Sequence, residues 1–227
     1  MRARAIKGLD PAAPLADNVE RIVRVRLDEL CGFVPQVLDP AEVQALHDMR
    51  IAAKRLRYIL ETTADACFGT YARTAAKRAK DVQDLLGEVH DCDVTLPRVL
   101  ALIEELRAAD AAVVRAAAGD AEDLDPALSA RAPHAGAWRG LTTLAVHLRA
   151  RRTLLFERFL ALWRELEREG FRARLEYAVG ERPGPARAAV ARLDEAAEAV
   201  ARAATQAGSS QDGDSDRAAV ALPSQNA

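Results

Sequence analysis

Residues 46–61 read Leu46-His47-Asp48-Met49-Arg50-Ile51-Ala52-Ala53-Lys54-Arg55-Leu56-Arg57-Tyr58-Ile59-Leu60-Glu61. The stretch lacks Gly and Pro and is rich in Leu, Ala, Arg and Lys, so it makes about four turns of α-helix. A helix advances ~100° per residue, which sets Leu46, Met49, Ala53, Leu56 and Leu60 on one face. That stripe faces a core. On the same wheel His47, Arg50, Lys54 and Arg57 fall within an arc of about 80°, beside the apolar stripe.

Like charges at spacings of three and four repel by a few tenths of a kcal/mol per pair, so an anionic ligand would relieve the row. The competing reading is a solvated helix face, the usual fate of a charge run.

The stretch has the form H-x-x-R-I-x-x-K-R-L-R-Y-x-x-E and is followed by Leu85-Leu86-Gly87-Glu88-Val89-His90-Asp91-Cys92-Asp93-Val94. The two motifs, in this order, resemble the CHAD family of histidine-bearing helical domains, and the resemblance extends over about residues 15–175. It implies an all-helical domain of two similar bundles around a basic channel that binds inorganic polyphosphate. Position by position it points to His47, Arg50, Lys54, Arg55 and Arg57. The family usually has Arg where this chain has His90, so no role is carried to that residue. The second half offers only Arg149, Arg151 and Arg152 as a faint echo of the signature. Either a long helix replaces the second bundle, or the channel is completed by another copy, as a homodimer.

Length and composition agree with that class. The 227 residues are half hydrophobic and only 4% aromatic, and nothing alternates with the two-residue period of strands. The fold class expected is all-α, a bundle of antiparallel helices. The net charge of −2 hides segregation along the chain. Residues 47–80 hold eight Lys/Arg against three Asp/Glu, residues 81–130 three against twelve, and residues 131–174 ten against four. Overall neutrality argues against a general coating of nucleic acid or membrane, and two basic segments that converge would make a local anion site.

Three cysteines, Cys31, Cys67 and Cys92, have no metal-ligand spacing and fit free thiols in a reducing compartment. Neither a signal region nor an uncharged run of about 20 residues is present, which points to the cytoplasm, and with polyphosphate as ligand to polyphosphate granules. No cofactor is expected. Clustered His90, Asp91, Cys92 and Asp93 invite a metal, but no paired spacing closes a ligand shell.

In chain order, residues 1–14 form an arm, and Asp17 or Asn18 caps a first helix to about residue 32. Its Arg21 and Arg24 either extend the basic surface or are solvated, with solvation favoured. Asp39 caps the signature helix, with Pro40 in its first turn. A third helix runs from Tyr71 to about His90, burying Ala75, Ala79, Val82 and Leu86 and exposing Arg73, Lys77, Lys80 and Asp84. Lys77 and Lys80 are secondary candidates for the anion site. The chain breaks at Glu88–Asp93, where Asp91 or Asp93 caps a new helix or tethers an Arg or Lys, and Pro97 sits in that helix's first turn. An acidic connector at about 119–133 leads to a long helix over residues 138–169. There Arg152 projects on the apolar face with Arg149 at its edge. They either snorkel to water or form a second wall of the anion site, because an unpaired buried charge costs several kcal/mol. His147 is off that face. The domain expected spans residues 15–178, and 179–227 reads as a largely disordered, low-complexity tail, weakly helical to about residue 204.

The functional expectation is non-enzymatic polyphosphate binding through His47, Arg50, Lys54, Arg55, Arg57, Lys77, Lys80, Arg149 and Arg152. Arg forks and Lys point charges on a rigid helix suit a repeating anion. Three rivals compete with it. A nucleic-acid binder would interleave aromatics for stacking. A metal-assisted phosphate-ester or phosphoanhydride hydrolase would need a carboxylate cluster or an activated nucleophile. The third is a purely structural bundle.

Overall fold

A computed structural model describes residues 3–181 of the chain. The helices are α1 (Leu15–Cys31), α2 (Val34–Val37), α3 (Val43–Cys67), α4 (Thr70–Ala118), α5 (Pro126–Ala130), α6 (Ala135–Arg168) and α7 (Phe171–Gly180), and there is no strand among the described residues. The expectations for the tail beyond residue 181 lie outside the described residues.

The signature stretch lies inside α3, and its apolar stripe is buried as the periodicity requires: Leu46, Met49, Ala53, Leu56 and Leu60 are all at most 2% exposed. At its C-terminus the chain reverses through Gly69, whose φ of 74° is a conformation that L side chains rarely adopt. α4 then returns antiparallel to α3, burying Ala72, Ala75, Ala79, Val82, Leu86 and Val89. α6 runs back along α4 and contributes Leu155, Phe156, Phe159, Trp163 and Leu166 to the same core. Gly170, left-handed at φ 67°, turns the chain into α7, whose Phe171, Leu175 and Val179 close the bundle. Arg172 on α7 reaches Asp28 on α1 at 2.5 Å.

Several local expectations are corrected. α1 starts at Leu15 behind Pro14 with no side-chain cap, because Asn18 is engaged elsewhere. Its amide Nδ2 donates to the Asp10 carbonyl at 2.7 Å and its Oδ1 accepts the Asp10 N–H at 2.9 Å. The N-terminal arm thus folds back onto α1, and the Arg4 N–H donates to buried Glu29, which also holds Arg26 at 2.6 Å. Asp39 does not cap α3, which starts at Val43. Its carboxylate accepts the Ala41 N–H inside the preceding turn.

The largest correction concerns residues 88–93. α4 passes through them without interruption for 49 residues, so neither Asp91 nor Asp93 is a cap, and Pro97 lies in the helix interior. Proline there removes one N–H to the carbonyl four residues back, a cost that packing on both sides of the position outweighs. Val99 and Ile103 of α4 meet Ala145 of α6 in a smaller second core, flanked by Leu96, Leu100, Trp138, Leu141 and Leu148. At its far end Asp110, 5% exposed, accepts the His134 N–H at 2.9 Å and the Trp138 indole N–H at 3.1 Å, and its carboxylate stands 2.9 Å from His134 Nδ1. This fixes the start of α6. The connector before it carries α5, whose cap Asp125 accepts the Ala127 N–H.

Candidate functional site

Antiparallel pairing of α3 and α4 brings the cationic row of α3 against one edge of α4. The His47 ring lies 4.4 Å from the His90 ring, centroid to centroid. Arg50 passes beside Gly87, where an added Cβ would stand 4.0 Å from its Cδ. Arg57 donates from its guanidinium to Gln83 Oε1 at 3.2 Å. His47, Arg50, Lys54 and Arg57 are all half-buried, so the row lies in a seam between two helices rather than projecting separately into water.

Two polar nitrogens in the row are buried without a hydrogen-bond partner among the described residues, His47 Nδ1 and Arg50 Nε. Leaving such a group unsatisfied costs about 1–3 kcal/mol, so both sites call for water or an anion. Burial lowers the His47 pKa below its ordinary 6.5, and the neighbouring His90 and Arg50 lower it further, against a smaller opposing effect of Asp48. Further along, Lys54 Nζ and the Arg57 guanidinium lie 5.6 and 5.1 Å from the Tyr58 ring centroid, within cation–π range. Arg57 also donates to Glu61 at 2.8 Å, and this bond, ahead of a smaller opposing effect of burial, raises its pKa.

The remaining candidates separate. Arg55 sits about 100° round the helix from Lys54 and is half-buried on another side of α3. Lys77 is exposed, and Lys80 is held by Asp84 one turn on. Arg149 is exposed. Arg152 is held within the bundle rather than snorkelling free. Its Nε donates to Asp93 at 2.5 Å, and its terminal NH2 donates to the Pro40 carbonyl at 2.8 Å. Asp93 thus tethers an arginine, one of the two roles expected of it. Arg151 is engaged with Glu88 at 2.5 Å. The second wall expected from Arg149 and Arg152 is therefore corrected: α6 meets the acidic face of α4, and the acids of α4 balance Arg151 and Arg152. His147 is exposed, as its place on the wheel requires.

His90 and Gln83 join the site without having been read as candidates. The register of the antiparallel pair brings them there: residues 47, 50 and 57 meet 90, 87 and 83. Among the described residues no three His, Cys, Asp or Glu side chains converge as a metal shell, and no helix is long and apolar enough to cross a membrane. All three cysteines are free thiols.

The seam that this helical pair carries lies within a match to a known family. Residues 2–100 match the model of the CHAD domain family. No curated protein and no solved structure matches the chain. The CHAD match ends within α4, short of the 15–175 span expected from the two motifs, so α5, α6 and α7 lie beyond it. It contains the complete seam from His47 to His90.

Proposed function

We propose that the seam between α3 and α4 binds inorganic polyphosphate without acting on it, in the cytoplasm and at polyphosphate granules. The two buried, partnerless nitrogens of His47 and Arg50 carry this reading, since phosphate oxygens would satisfy donors there. Arg50, Lys54 and Arg57 follow at helical spacing, about 5–6 Å between neighbouring side chains, a repeat that can track a chain of phosphates. Arg57 would exchange its Glu61 partner for phosphate. The CHAD match over residues 2–100 supports the same ligand class.

Titration of the full chain with long-chain polyphosphate at fixed salt tests this. Arg50→Glu and Arg57→Glu should each weaken binding by tenfold or more, roughly 1.4 kcal/mol apiece. Undiminished affinity in both variants would leave the seam a structural contact. Competing DNA at the same salt separates a general polyanion site from a phosphate-chain site. Phosphate release from polyphosphate or a triphosphate with Mg²⁺ would instead make the protein a hydrolase.

A further inference from the structure

Outside the seam, α4 and α6 share a long face that nothing in the described chain covers. Asp84, Asp91, Leu102 and Val113 recur within an arc of about 40° on α4, and all four are exposed. Gly140, Leu144, Leu154 and Arg158 recur within about 80° on α6, and they too are exposed. Both stripes flank the α4–α6 contact on the same side. Arg151 bridges to Glu88 there, and Asp84 and Arg158 line one open groove of about 570 Å³. The leucines and valine are large apolar groups facing water: Leu102 is 42%, Val113 48%, Leu144 41% and Leu154 55% exposed.

We propose that this face is where a second copy of the chain packs, with α4 of each copy lying against α6 of the other in an antiparallel four-helix arrangement. Charge selects this pairing. The charges that stand exposed on the two stripes are Asp84 and Asp91 on α4 and Arg158 on α6, acidic on one helix and basic on the other. A two-fold axis parallel to the helices sets acidic α4 over basic α6 twice. The alternative, α4 on α4, would stack like charges. The size is that of a modest interface: the shared face is limited by the α6 stripe, residues 140–158 or about 27 Å, and two helices are about 20 Å wide, on the order of 540 Å² per copy and ~1,100 Å² in total, just above the ~1,000 Å² a specific interface should bury. Gly140 adds closeness of approach. A Cβ there would meet nothing within 4 Å, so no packing among the described residues requires glycine at a position where it costs the helix about 1 kcal/mol relative to alanine.

Sedimentation velocity of the full chain at micromolar concentrations tests the proposal. A species of twice the chain mass is expected, and Leu102→Glu combined with Leu144→Glu should return it to the single-chain mass with the far-ultraviolet helix signal retained. Asp84→Arg and Arg158→Asp should each weaken association at least tenfold, and the double swap should restore it. A single-chain mass throughout the range, a dimer indifferent to the leucine changes, or a double swap no better than either single one would overturn the proposal. Polyphosphate affinity, measured in the same variants, reports on the seam separately.

Discussion

The imidazoles of His47 on α3 and His90 on α4 stand 4.4 Å apart and are tilted by 40° to one another. Two rings this close resist simultaneous protonation. Burial, His90 and Arg50 together hold the His47 pKa below 6.5.

The unfolded chain therefore takes up this proton before the folded one does. The stability contribution of neutral His47 is complete above about pH 6.5 and is lost as pH falls from there toward the depressed midpoint. Proton NMR of the His47 ring should place that midpoint below 6.5, and His90→Ala should move it upward. Saturating polyphosphate should also raise it, because the anion favours the charged ring, so affinity should tighten over this same window, lower than an ordinary histidine would give. A midpoint at or above 6.5 in the free protein would contradict the assignment.

Arg152 and Asp93 join helices 59 residues apart in sequence, with side chains only 17% and 10% exposed, and Arg152 also anchors the loop before α3 through the Pro40 carbonyl. Asp93→Ala leaves that guanidinium half-buried without its counter-charge. A loss of about 2 kcal/mol in urea unfolding is expected, and Asp93→Glu should recover only part of it.

Asp110 clamps the first turn of α6. Its burial raises the carboxyl pKa, but the His134 backbone N–H, the His134 ring and the Trp138 indole outweigh that and hold it below the usual range. Asp110→Ala should speed hydrogen exchange of the amides at residues 134–138 while those of α3 stay protected. Uniform loss of protection across both helices would show that the clamp supports the whole bundle.

Pro97 is exposed in the interior of α4. Replacing it by Ala restores one backbone donor and removes the ring's clash with the Asp93 carbonyl, so Pro97→Ala should stabilise the protein by about 1–2 kcal/mol in chemical denaturation. In the opposite direction, Phe159→Ala, at a fully buried core position, should cost about 3–5 kcal/mol.

The sequence by itself determined the helical class and which side of each helix is buried, because a 3.6-residue period is a local property and hydrophobic burial follows it. Leu46, Met49, Leu56 and Leu60 needed no partner to be assigned inward. It also placed His47, Arg50, Lys54 and Arg57 in one row. Tertiary structure alone decided what that row faces, since His90 and Gln83 reach it only through the antiparallel register of α3 and α4. It likewise decided that Asp93 belongs to Arg152: an ion pair across 59 residues leaves no local trace, whereas the cap that Asp93 resembles has one. Continuity of α4 past Pro97 has the same origin. Propensity at residues 88–97 favours a break, and packing of Val89, Cys92, Val99 and Ile103 on either side of the proline overrides it.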